Sequence, residues 1–379
     1  MKEKHNKPRA LYIATFPPPV HGSSVVSMQI KNSKVINEVF EGDYVNLGTS
    51  HKIEEIGKSG LLLSVKKMFR FISAFFRTFC LLLAHKYNLC YCAITVNGIG
   101  FFKDAPFVLL CQLFGCKIVI HQHNKGMSLF VKKPLYKWLY KHVYRGVKVI
   151  LLSNYLYEDI SAIVNKQNVM ICANGIKPSE NKNISDNAAD AKDEVPHILF
   201  LSNLIESKGC LVLLDACGIL KNRGHRFVCD FIGGDTKEIS KERIQKEITK
   251  RGLTENAIYH GKKYGNEKDE FWAKTDIFAF PTYYYNECFP LVLLEAMEKG
   301  VACISTIEGG IRDIIDDGVT GYIVERQNPQ ALADAIERLL INPALCRSMG
   351  AAGRKLYEER FTEERFENTM LECLKEGME

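Results

Sequence analysis

Short β-rich runs alternate with helical stretches along almost the whole chain, and this alternation narrows the architecture to parallel sheets covered by helices. In the first half the strand-like runs are Leu11–Phe16, Tyr44–Leu47, Asn88–Thr95, Lys117–His123, Lys148–Ser153 and Asn168–Ala173. Helical periodicity fills most of the gaps, as over Ser24–Val39 and Pro134–Tyr144. A polar stretch without aromatic residues follows, Lys177–Pro196 (KPSENKNISDNAADAKDEVP), and its composition is that of an interdomain linker. A second series has strands expected at His197–Leu204, Phe227–Gly233, Ala257–His260, Asp276–Phe280 and Ala302–Thr306. Two helices end it, the last from near Thr362. With 379 residues the chain is comfortable as two domains. The expected fold class is α/β, two Rossmann-like domains facing across a cleft, because open parallel sheets bind ligands at the carboxyl ends of their strands. Neither half carries GxGxxG after its first strand, and Phe231–Asp235 (FIGGD) holds only part of that dinucleotide fingerprint.

Charge is distributed unevenly. Residues 1–180 hold 24 Lys+Arg against 10 Asp+Glu, a balance of +14, while the remainder holds 26 against 34, a balance of −8. The first half is therefore expected to face something anionic: nucleic acid, a membrane surface or a pyrophosphate-bearing lipid. A solvated basic face without a partner gives the same count. The opening MKEKHNKPRA is polar and the apolar run after it is too short for a signal peptide. No apolar run reaches the ~18 residues of a spanning helix. Thirteen cysteines without a CxxC pair read as reduced, buried thiols, which points to the cytoplasm and away from a disulfide scaffold or a zinc site.

Asp276–Gly300 (DIFAFPTYYYNECFPLVLLEAMEKG) is the most informative stretch. A buried strand ends at Pro281, a loop carries three tyrosines, and a helix begins near Pro290. Glu287 precedes the helix N-terminus, where free N–H groups and the positive dipole end attract phosphate, and Glu295 lies in the second turn. Carboxylates beside a phosphate site suit sugar hydroxyls. Together with EGGIRDIIDDGVTGYIV and Asn328–Phe361, this stretch resembles the donor-binding half of family-4 glycosyltransferases, enzymes of the GT-B fold. The resemblance implies residues 1–176 plus the C-terminal helix 363–379 as the acceptor-side domain, 177–196 as linker and 197–362 as the nucleotide-sugar domain. It also implies that Glu287 holds donor-sugar hydroxyls, Glu295 the ribose, and backbone N–H groups around Phe289, Leu291 and Val292 the diphosphate. Pro290 stands where glycine is common and supplies no N–H. Lys208, in Phe200–Gly209 (FLSNLIESKG), fits the family's phosphate-binding lysine, and Asn203 replaces a usual arginine. Phe16–Ser24 (FPPPVHGSS) resembles the glycine loop that lies against donor and acceptor, with Gly22 as its glycine. His121 and His123 share one face at the end of a strand; a histidine there serves a core as readily as a site, and the family's active-site histidine aligns best with His123. Asn174 and Gly175 resemble the family's turn before the linker.

Leu61–Lys86 combines apolar residues at helical spacing (Leu61, Val65, Met68, Ile72, Phe75, Phe79, Leu82) with Lys66, Lys67, Arg70 and Arg77 away from that stripe. An interfacial helix on an anionic membrane and a core helix with a basic outer face both explain it. The resemblance implies a retaining glycosyltransferase, catalytic through His123, Glu287 and Lys208. It would move a hexose-type sugar from a UDP- or GDP-sugar to a glycan acceptor, lipid-linked, in cell-surface polysaccharide synthesis. No cofactor and no metal are expected, since no DxD or His/Cys cluster is present; nor is a nucleic-acid partner, since no recognition motif is present. The expected location is the cytoplasm, at the inner face of the membrane. A sugar-nucleotide epimerase or phosphorylase on the same scaffold, and a two-domain solute-binding protein, are the alternatives.

Overall fold

A computed structural model describes residues 7–18, 22–48, 61–179 and 195–379. The chain forms two compact units, Met1–Asn174 with Glu363–Glu379, and Gly175–Thr362. Residues 180–194 of the expected linker lie outside the described residues. Ser179, at its described start, is tied down: its Oγ accepts from Lys299 Nζ at 2.5 Å and its N–H donates to Glu298 at 3.3 Å.

The first unit is built on six parallel strands: β1 (Arg9–Ala14), β2 (Glu41–Asn46), β3 (Leu89–Cys92), β4 (Ile118–Gln122), β5 (Lys148–Leu151) and β6 (Val169–Ile171), in the order β2-β1-β3-β4-β5-β6. Apolar and β-branched residues fill its inner strands because helices cover both faces. The connection from β1 to β2, made by α1 (Gly22–Asn32) and α2 (Lys34–Val39), runs opposite to all later ones. Right-handed crossovers then put these two helices on one face. The other face takes α3 (Leu61–Ala84), α4 (Gly98–Leu113), α5 (Met127–Phe130), α6 (Pro134–Val143) and α7 (Tyr157–Ile160). The C-terminal helix Glu363–Glu376 returns to this unit and packs Phe366, Met370 and Leu374 into the same core as Tyr12, Val26 and Tyr91.

The second unit has β7 (His197–Leu201), β8 (Val228–Ile232), β9 (Ala257–Tyr259), β10 (Ile277–Phe280), β11 (Ala302–Ser305) and β12 (Gly321–Ile323), all parallel, in the order β12-β11-β10-β7-β8-β9. This is the Rossmann order, and the direction of winding reverses between β7 and β10. Its helices are α8 (Cys210–Asn222), α9 (Lys241–Lys250), α10 (Asn266–Lys274), α11 (Leu291–Glu298), α12 (Ile311–Ile314), α13 (Pro329–Leu340) and α14 (Pro343–Arg360). Beneath them Asp230 of β8 is buried, with His197 Nδ1 at 2.9 Å, His260 Nε2 at 2.6 Å and Lys274 Nζ at 3.1 Å.

Three expectations need correction. The single helix over Ser24–Val39 is two, because Ser33 is extended and its Oγ accepts from Ile36 N–H at 3.3 Å, a cap that starts a new helix. A sixth strand, β12, begins on the last glycine of DGVTG and runs parallel to β11, one more than the five strands expected in this half. The apolar stripe of α3 is not one face. Phe71 and Phe75 pack edge-on against Phe107 of α4 and Leu82 is buried, whereas Val65, Met68, Ile72 and Phe79 are exposed. All thirteen cysteines are free thiols, eleven of them buried.

Candidate functional site

The loops leaving β7 and β10 meet at the point where the second sheet changes direction. Asn203 and Lys208 lie on the first loop, Glu287 on the second. Gly209 ends the first loop at φ +91°, and a Cβ there would stand 2.2 Å from the carbonyl oxygen of Pro281. Only glycine lets the two loops press together so closely. Tyr283 N–H donates to Ser207 O at 2.8 Å across the same seam. The result is that Lys208 Nζ sits 2.5 Å from Glu287 Oε2 and 4.5 Å from the centre of the Tyr284 ring. Both side chains are largely buried.

Glu287 is held from behind by the glycine pair of the sequence EGGIRD. Gly309 has φ +55°, and a Cβ on it would lie 2.3 Å from Glu287 O. Gly310 N–H donates to Cys288 O at 2.6 Å. Phe289 turns inward, edge-on to Phe361 at 5.8 Å. Pro290 is the extended residue before α11 (φ −70°, ψ 118°), and its carbonyl accepts from Leu293 N–H at 3.2 Å. Leu291 and Val292 open the helix, so neither N–H has an i−4 carbonyl within it. From the second turn Glu295 Oε2 reaches Lys268 Nζ of α10 at 2.8 Å.

The loops after β7 and β10 thus carry one ammonium–carboxylate pair, Lys208–Glu287, ahead of the start of α11, and α10 and α11 carry a second, Lys268–Glu295. Amides and ammonium groups suit a diphosphate; carboxylates accept hydrogen bonds from hydroxyls. Lys268 carries no signal in the sequence because it precedes Glu295 by 27 residues on another helix, without a local pattern joining them. Asn203 braces the scaffold, since its Oδ1 accepts from Gly234 N–H at 3.3 Å and links the loops after β7 and β8. Gly233 has φ +149°, and a Cβ on it would stand 1.8 Å from Ser202 O, which accounts for one glycine of FIGGD without a dinucleotide.

In the first unit His123 comes directly after β4. His121, within β4, is fully buried; its Nδ1 lies 2.7 Å from Tyr91 OH and its ring 4.0 Å from that of His123. Burial, and then the neighbouring His123, push the His121 pKa far down, so His121 is a neutral core residue. Gly22 opens α1, and among the described residues a Cβ there would meet nothing within 4 Å.

Residues 181–356 match the family model described as Glycosyl transferases group 1. This chain carries a group 1 glycosyltransferase domain. Among relatives of this chain, an uncharacterized glycosyltransferase of Methanocaldococcus jannaschii is 26% identical over 218 residues, 55% of this chain and 54% of that one. The capsular polysaccharide biosynthesis glycosyltransferase CapM of Staphylococcus aureus is 28% identical over 163 residues, 43% of this chain and 41% of CapM. The chain therefore spans about half the length of the curated relatives it matches. HepE of Anabaena, solved with UDP, superposes with a TM-score of 0.75 over 97% of this chain and 100% of HepE at 16% identity. The fold of this chain is GT-B.

Proposed function

We propose that the protein is a glycosyltransferase that moves a hexose from a UDP- or GDP-sugar to a glycan acceptor, lipid-linked, with retention of anomeric configuration. The observation that carries this reading is the Lys208–Glu287 ion pair at the β7/β10 reversal, beside the first turn of α11. In this reading Lys208 and the amides of Leu291 and Val292 hold the diphosphate, and the charge that builds on it as the glycosidic bond breaks is met without a metal. Glu287 accepts from hydroxyls of the sugar, Glu295 from those of the ribose. Phe289 N–H and Gly22 border the donor, Asn203 fixes the loop behind the diphosphate, and His123 faces the transferred sugar. CapM's role in capsular polysaccharide synthesis supports a cell-surface glycan as product, at the inner face of the membrane. HepE, also solved with UDP-glucose, supports a nucleotide-sugar donor.

A thermal-shift series with UDP-, GDP- and ADP-sugars tests donor binding, since a ligand at about 100 times its Kd adds about 2.7 kcal/mol of stability. Turnover with a labelled donor should release nucleoside diphosphate and extend the acceptor, whereas an epimerase or a phosphorylase would not yield that pair of products. Glu295→Ala should lose transfer while melting normally; near-normal turnover would refute the assignment. Activity that disappears with EDTA would overturn the metal-free reading.

A further inference from the structure

We propose that α3 and α6 together form a docking surface for an anionic phospholipid bilayer. At 3.6 residues per turn, Val65, Met68, Phe69, Ile72, Phe76 and Leu83 fall within about 100° of arc on α3. Each has 55–73% of its surface exposed. The helix packs through a different arc, by Phe71, Phe75 and Leu82, so this apolar strip is surplus to the core. Lys66, Arg70 and Arg77 follow one another along the flank of the strip. On α6, Leu135 and Trp138 are 61% and 57% exposed, set among Lys133, Lys137 and Lys141. Both helices contact α4 and lie on the same face of the first sheet.

Charge selects the occupant. Between Ile56 and Tyr157 the chain has fifteen Lys and Arg and a single acidic residue, Asp104, which is buried. A second copy docked here would bring like charge against like. Nucleic acid would satisfy the cations and leave the apolar strip in water. A bilayer with anionic headgroups takes both: the cations at its surface and the phenylalanines below it. Among the described residues no helix is long and apolar enough to cross a membrane, so the contact lies in the plane of the interface. This inference stands on the first unit alone and does not depend on the donor reading.

Flotation of the full chain with vesicles tests it. Binding is expected to vesicles of one part phosphatidylglycerol to three of phosphatidylcholine, to weaken with salt, and to be absent with phosphatidylcholine alone. Neutralising Lys66 or Arg70 by Gln should cost about fivefold in affinity per charge. Phe69→Ser with Phe76→Ser should cost about tenfold or more at unchanged melting temperature. Trp138 gives a second readout, because the other tryptophan, Trp272, is buried: its emission should shift to the blue on adding anionic vesicles, and Trp138→Phe should remove the shift. Equal affinity for neutral vesicles, or undiminished binding by the double variant, would overturn the proposal. So would a dimer that dissociates in the double variant while the parent ignores lipid.

Discussion

At Asp230, burial and hydrogen bonding pull the carboxyl in opposite directions. Burial raises its pKa, but hydrogen bonds from His197, His260 and Lys274, with the charge of Lys274, outweigh burial and hold it well below the usual carboxylate range. A folded pKa below the unfolded value of about 3.9 means that the stabilisation is complete above about pH 4 and drains away as pH falls further. Asp230→Asn should therefore lower stability at pH 7 by about 3 kcal/mol, as expected for removing one partner of a buried ion pair. Calorimetry should find the gap between the two proteins closing below pH 4; a constant gap from pH 7 to pH 3 would contradict the account. Lys268 is the second test. Lys268 meets Oε2 of Glu295 and so fixes the carboxylate through one oxygen. Lys268→Ala should raise KM for the donor about tenfold with little change in kcat. Steady-state kinetics over donor concentration would show it, and a collapse of kcat at constant KM would speak against a positioning role. Glu287, Glu295 and Lys208 could be read in sequence because each stands in a contiguous pattern. Lys268 and the partners of Asp230 could not, since folding alone joins them.

The loops around Glu287 depend on two tight approaches, and the elements they join cannot separate without moving the carboxylate. Gly309→Ala would drive a methyl group into Glu287 O and would also force a positive φ on alanine. The expected result is a fall in kcat/KM of about tenfold or more together with a lower melting point. A variant with full turnover would show that the loop tolerates displacement. Among the elements, nine of the eleven strands expected from sequence are shorter in the fold than their apolar runs by one to four residues, while β1 keeps its length and β2 is longer. An apolar run continues into the loop because residues such as Leu204 and Ile94 stay buried after strand pairing stops. Helix α3 shows the reverse limit. Periodicity finds apolar positions, but it cannot distinguish an arc packed on Phe107 from one turned outward. Strand β12 begins on the last glycine of DGVTG, so the sequence there reads as a turn.

On the scale of the whole molecule, the two series of alternating elements were legible because each strand-helix pair is local, whereas the strand orders rest on long-range pairing that local pattern does not carry. Nor could local pattern supply the membership of Glu363–Glu376 in the first unit. Removing residues 363–379 should expose the core positions of Tyr12, Val26 and Tyr91 and lower the melting transition of the first unit while sparing the second. Calorimetry of the shortened chain would then resolve two transitions; a single transition at the original temperature would disprove it. The same arrangement constrains synthesis. Everything from Gly175 to Thr362 leaves the ribosome before the helix that finishes the first core, so the later half can fold to completion while the earlier half is still open. Until that helix emerges, Tyr12, Val26 and Tyr91 lack the cover of Phe366, Met370 and Leu374, and that part of the first core stays open to water.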